Sequence, residues 1–315
     1  MSPTIALLLG LVLLFFGGEL LVKGSVALAL KIRISTLVVG MTIVSFATSA
    51  PELFVSLQAL LEGSSNIALG NVIGSNIANI TLVLGITAMI FRVQISEQTI
   101  NLNFPVLLVS SLVFGVVLYY FNGVPQIVGY LFIIALSLFV FLLIKKSRKE
   151  HSQSEDVLLE ETKQDPLYKS IAFLIAGVLL LKYGADNLVD GAIAIANHFQ
   201  VSDRIIAVTI VAIGTSIPEL ATSIVAALKK ENNLAVGNLI GSNIFNILAV
   251  LGITSATQKI EIDDIAILEF DYLWMIAITF VVGLFIYTLS KRQISRKEGS
   301  FLFLLYIAYI YFTLL

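Results

Sequence analysis

Two stretches of this chain, Phe16 to Thr87 and Tyr183 to Thr254, align without a gap at a constant offset of 167 residues. This internal repeat constrains the fold more than any other feature. VSFATSAPELFVSL from Val44 returns as VAIGTSIPELATSI from Val211, which sets Thr48, Ser49, Pro51 and Glu52 opposite Thr215, Ser216, Pro218 and Glu219. GNVIGSNIANI from Gly70 returns as GNLIGSNIFNI from Gly237. A chain duplicated in this way folds as two copies of one unit.

Each unit is too apolar for water. With 58% hydrophobic and only 13% charged residues, the chain reads as a polytopic membrane protein. Stretches long enough to cross a hydrocarbon core as helix occur at 4–24, 36–61, 67–90, 102–121, 125–144, 167–189, 204–228, 234–255, 271–289 and 299–315. Met1 to Leu13 has no basic segment and Phe16 to Ala29 aligns with an interior stretch, so the first is expected as a span and not a cleaved signal. The expected fold is all-α: ten transmembrane helices in two repeats, 1–144 and 167–315, around a linker at 145–166. Five spans is an odd number, so the second copy enters the membrane from the opposite side. Such inverted repeats place a site near the midplane at their interface.

Loop charges support this count. One set of alternate loops carries fifteen Lys and Arg and the other only Arg204 and Lys259. By the positive-inside rule both termini lie outside and the linker inside. The linker is expected as a solvated hinge, with an amphipathic helix around Val157 to Leu159 as the alternative. His151 and His198 read as ordinary surface groups, and the acidic run Asp263, Asp264, Glu269 and Asp271, with Glu261 before it, as a solvated loop, with a cation-concentrating vestibule as the alternative. With no cysteine, thiolate metal sites are excluded.

The chemistry lies inside the spans. Ser45, Thr48, Ser49, Glu52 and Ser56 recur at intervals of three and four, on one helical stripe. Thr215, Ser216, Glu219 and Ser223 form its counterpart. An acid at membrane depth is costly and marks function by default. Pro51 and Pro218 lack the N–H that would bond the carbonyl of Ala47 or Gly214, which predicts broken helices with carbonyls free for a cation. Asn71, Ser75 and Asn79, and Asn238, Ser242 and Asn246, form second stripes, and the glycines beside them permit close helix approach. Carboxylate, hydroxyl, amide and main-chain oxygens without His or Cys suit hard cations, Ca²⁺ or Na⁺. Two carboxylates without a matching base require about two positive charges, and competition for them is a basis for exchange.

On GMTIVSFATSAPE with GNVIGSNIAN, and AVTIVAIGTSIPE with GNLIGSNIFN, the chain resembles the cation/calcium antiporter superfamily, in particular its Na⁺/Ca²⁺ exchanger branch of prokaryotic type. The resemblance implies a plasma-membrane antiporter that exports Ca²⁺ against inward Na⁺ by alternating access, with the bilayer as its surroundings, no cofactor and no nucleic acid, working as a monomer. It implies Glu52 and Glu219 as shared Ca²⁺ and Na⁺ ligands, with main-chain oxygens of Thr48 and Thr215. Ser49, Ser216, Ser75 and Ser242 would complete Na⁺ sites with main-chain oxygens near Ser45 and Ala212, and Asn79 and Asn246 would occupy the middle positions. Asn246 stands where some relatives, K⁺-dependent ones among them, carry Asp. An H⁺/Ca²⁺ antiporter on the same fold is the alternative, and a cation channel is a third. No nucleophile–base, metal–His or phosphate-loop arrangement marks an enzyme.

Overall fold

The computed structural model describes residues 2–153, 166–198, 212–289 and 292–314. Its helices, in chain order, are α1 (Pro3–Ile32), α2 (Thr36–Thr48), α3 (Ala50–Leu61), α4 (Ser65–Ile90), α5 (Thr99–Phe121) and α6 (Gln126–Gln153). There follow α7 (Leu167–His198), α8 (Ala212–Thr215), α9 (Ile217–Leu228), α10 (Asn232–Thr257), α11 (Ile267–Leu289) and α12 (Arg296–Thr313). Among the described residues seven of these, α1, α4, α5, α6, α7, α10 and α11, are long and apolar enough to cross a membrane, and the pair α2 and α3, bent by 42°, makes an eighth.

The described part of the expected seventh span is α8 and α9. The expected tenth is α12, an 18-residue helix whose first turn carries Arg296, Lys297 and Glu298 behind a Ser295–Glu298 capping box. Polar, helix-compatible residues let α6 continue to Gln153, so residues 145–153 of the expected linker are helix. The proposed amphipathic segment at 157–159 lies outside the described residues.

Packing explains the layout. The 18-residue apolar core of α10 is wholly buried and that of α4 is 78% buried, whereas α6 and α7 bury only 28%. The two helices richest in Asn and Ser therefore stand at the centre, and α6 and α7 lie at the periphery. α1 and α7 lie against each other along stripes of glycine seven residues apart. Gly10 meets Gly184 and Leu188, Gly17 meets Gly177 and Leu181, and Gly24 meets Ser170 and Leu174. A Cβ on Gly17 would sit 2.8 Å from the Leu181 nitrogen, so only a hydrogen fits there. One set of numbers rises as the other falls, so the two helices are antiparallel.

Two small antiparallel strand pairs tie the halves together. β1 (Val93–Gln94) pairs with β4 (Gln293–Ile294), and β2 (Gly123–Val124) with β3 (Ile260–Glu261). Each joins a loop of one half to a loop of the other.

Candidate ion-binding site

The site is built where helices break. α2 stops at Ser49, whose backbone sits at φ −84°, ψ 4°, and α3 restarts at Ala50 with Pro51 in its first turn. Ser216 repeats this at φ −91°, ψ 0° ahead of α9, with Pro218 in its first turn. The break expected from each proline is present. It brings Glu52 and Glu219 into the first turn of α3 and α9, where the positive end of the helix dipole faces a carboxylate.

Three π-helical segments flank the same place: Gly40–Val44, Asn79–Val83 and Asn246–Val250. The last two begin on Asn79 and Asn246. Such widened turns expose main-chain groups and recur at functional positions. Sequence periodicity carries no signal for them.

Most of the expected residues are buried. Glu52 and Glu219 are both 0% exposed, and among the described residues they are the only buried charged side chains. Ser45, Thr48, Ser49, Ser75, Asn79, Ser216, Ser242 and Asn246 are buried with them. Thr215 is half-buried, and α8 begins at Ala212. Four carboxylate oxygens, the Ser49 and Ser216 hydroxyls and the side-chain amides of Asn79 and Asn246 make no hydrogen bond among the described residues. Buried polar atoms are ordinarily paired, and an unpaired buried charge is among the costliest arrangements a fold can hold. Ser75 lies beside Glu52, Thr48 and Ser49 lie beside Glu219, and the two carboxylates repel one another. The donor set is oxygen throughout. Among the described residues no group of three or more His, Cys, Asp or Glu forms.

The hydroxyls of Ser56 and Ser223 avoid their own helices. Ser56 donates to the Ala68 carbonyl at 3.4 Å and accepts from the Asn71 amide at 2.9 Å, while Ser223 has no partner. A Cβ on Gly237 would lie 2.5 Å from the Leu37 oxygen, which seats α2 against α10; positions 204 and 208, the repeat equivalents of Leu37 and Met41, lie outside the described residues. Asn71 and Asn238 belong to the polar stripes yet act on other protein groups: Asn71 donates to the Glu52 carbonyl at 3.1 Å, and Asn238 accepts from the Thr48 hydroxyl at 3.2 Å. Asn76, Asn103 and Asn243 are also buried, and they lie off the stripes that periodicity picks out.

A cavity of about 380 Å³ leads toward these breaks from the α7 side, lined by Pro51, Thr215 and Pro218 within and by the exposed Lys182, Asp186 and Asp190 at its mouth.

Comparison with known proteins agrees with this chemistry. The sodium/calcium exchanger protein family matches residues 2–145 and 169–315. CaxA of Alkalimonas amylolytica is 40% identical over 98% of this chain and 97% of its own. The sodium/calcium exchanger MaX1 of Methanosarcina acetivorans is 29% identical over 96% of both chains. The solved structure of the sodium-calcium exchanger NCX_Mj, soaked with Na⁺ and Ca²⁺, matches with a TM-score of 0.83 at 30% identity over 99% of each chain. Members of this family carry ions across membranes and are not enzymes. With buried oxygen groups at paired helix breaks and a family match over both halves, this multi-pass membrane chain belongs to the sodium/calcium exchanger family of cation/Ca²⁺ antiporters.

Proposed function

We propose that this protein is a Na⁺/Ca²⁺ antiporter that exports Ca²⁺ across the plasma membrane, driven by inward Na⁺ through alternating access. The observation that carries the reading is the pair Glu52 and Glu219, fully buried, contributed by equivalent positions of the two halves, with all four oxygens unpaired. Two negative charges at membrane depth need about two positive ones. One Ca²⁺ supplies both, and Na⁺ ions supply them singly, so each cargo must leave before the other is stable.

In this reading Glu52, Glu219 and the main-chain oxygens of Thr48 and Thr215 replace the hydration shell of Ca²⁺, which takes six to eight oxygens. Ser49, Ser216, Ser75, Ser242, Ser45, Ala212, Asn79 and Asn246 extend the oxygen surface for Na⁺. Ten spans in two inverted repeats, 1–144 and 167–315 around the 145–166 linker, place both termini outside. The antiparallel contact of α1 with α7, which stand at equivalent positions of the repeat, supports the inversion. The monomer holds both carboxylates and is taken as the working unit.

Purified protein in liposomes tests the coupling. Ca²⁺ uptake should require an outward Na⁺ gradient and ignore a pH gradient of equal size. Uptake that follows pH and disregards Na⁺ would establish the second reading, H⁺/Ca²⁺ exchange through protonation of the same two carboxylates. Single-channel currents would place the protein among channels.

A further inference from the structure

Asn71 and Asn238 occupy equivalent positions of the two repeats, and their potential partners are equivalent too: Glu52 and Glu219, Ser56 and Ser223, Thr48 and Thr215. Their hydrogen bonds nevertheless differ. The Asn71 amide nitrogen stays within its own repeat, donating to the Glu52 carbonyl at 3.1 Å and to the Ser56 hydroxyl at 2.9 Å. Asn238 reaches across to the other repeat. Its side-chain oxygen accepts from Thr48 at 3.2 Å, its main-chain oxygen accepts from Ser45 at 3.0 Å, and its amide nitrogen is buried with no partner. Ser223, the group that nitrogen would reach by analogy with Asn71, is equally buried and unpartnered.

Ala212 stands where the other half has Ser45, which removes a donor to the Asn main-chain oxygen only; the side-chain partners are the same in both repeats, so their different bonding is one of conformation. We infer that Asn71 and Asn238 are positioning residues that trade places: each has an own-repeat mode, gripping the Glu carbonyl and the Ser hydroxyl, and a cross-repeat mode, accepting from the opposite Thr. The structure holds Asn71 in the first mode and Asn238 in the second. When the protein faces the other side, Asn238 grips the Glu219 carbonyl and Ser223, and Asn71 accepts from Thr215. Neither residue need touch the ion. They set the carbonyl and hydroxyl groups around it, and they form an element with two discrete arrangements that both halves bias. The unpaired Asn238 nitrogen and Ser223 hydroxyl are the cost of the present state, since an unmade buried hydrogen bond is more expensive than a made one is favourable.

This rests on the alternating-access reading above, and its test is independent of ion coupling. The chain has no cysteine, so Val189→Cys, half-buried in the cavity wall beside α7, gives a single label site that reports the open state. Asn71→Ala removes two bonds here and one in the opposite state. It should lower the labelling rate by a membrane-impermeant maleimide about fivefold, the worth of one net hydrogen bond. Asn238→Ala does the reverse and should raise it. The double variant should return toward the parent. Ser56→Ala and Ser223→Ala should give the same signs at smaller size and serve if an Asn variant fails to fold. Two single variants that shift labelling in the same direction, or that leave it unmoved, overturn the exchange of modes. Failure of the Na⁺-gradient assay would leave these labelling rates unaltered.

Discussion

The two flanks of the site are equivalent in sequence position and opposite in packing. On one, α1 lies against α9: a Cβ on Gly18 would be 3.0 Å from Val225 and 3.3 Å from the Ala221 oxygen, and Lys229 bonds Glu19 at 2.9 Å. On the other, α7 stands off from α3, and the cavity lies between them. The residues at the 167-residue offset account for this. Ala185 replaces Gly18 and adds a methyl group. Gln58 stands for Val225, and Glu62 for Lys229. The closed flank thus has glycine against valine and a cation against an acid. The open flank has alanine, a polar amide and two acids, with Asp186 bonded to Lys182 on its own helix instead. The sequence is duplicated, and the difference between the flanks lies in a few side chains at the edges.

At the centre the halves should behave as equals, and that is where the largest effect is expected. Glu52→Gln and Glu219→Gln should each reduce Ca²⁺ transport at least about a hundredfold, because the amide keeps the shape and loses the charge that holds the cation. Both variants should stay folded, since a buried unpaired charge is removed, while Ca²⁺ ceases to raise their melting temperature. Transport retained by one of the two would break the equality.

The flanks should respond unequally. Gly18→Leu drives a side chain into Val225 and the α9 backbone and should lower stability by about 2 kcal/mol, as overpacking does. Ala185→Leu projects into the cavity, should keep the parent melting temperature, and should slow labelling of a cysteine deeper in that cavity. Equal losses in thermal unfolding of detergent-solubilised protein would show the two flanks to be packed alike.

Much of this was legible beforehand. The prolines beside each acid announce the breaks at Ser49 and Ser216, and the spacing of Thr48, Ser49 and Glu52 announces a shared buried face. Both follow from local rules, a missing N–H and a 3.6-residue period. The π-helical starts at Asn79 and Asn246 were not legible, because an extra residue in a helical turn leaves no mark in composition. The partners of Asn71 and Asn238 were hidden for another reason. The two residues read alike, and only the packing of α2 on α10 separates them. The difference between the flanks could have been read by aligning Lys229 with Glu62, a charge reversal within the repeat.

A smaller effect concerns the turns that follow α3 and α9. Gly63 has φ +82°, in the left-handed region, and its equivalent Lys230 sits at φ 63° with a side chain. A non-glycine residue pays there by roughly 1 kcal/mol. Lys230→Gly should therefore stabilise the protein by about 0.5 to 1 kcal/mol, less the entropy glycine adds to the unfolded chain. Gly63→Lys should destabilise it by a similar amount, and thermal midpoints compare the two directly.

The smallest expected effect bears most directly on the open flank. If the like charges of Glu62 and Asp186 hold α7 away from α3, Glu62→Lys turns repulsion into attraction and should favour closure of the cavity. Among the described residues the Glu62 side chain bonds only the Gln58 amide, at 2.9 Å, so little else is lost. Both groups are exposed, and an exposed ion pair contributes about 0.2 to 1 kcal/mol. Labelling of Val189→Cys should accordingly fall by a factor of about two to five. Lys229→Glu, which places two acids on the closed flank, should shift the balance the other way, toward opening beside α1 and slower labelling beside α7. Both shifts should shrink when ionic strength rises from about 0.01 to 1 M, because screening shortens the reach of exposed charges from about 30 Å to 3 Å. A Glu62→Lys effect that persists in high salt would place the asymmetry in the Gly18 and Ala185 packing instead of in the charges.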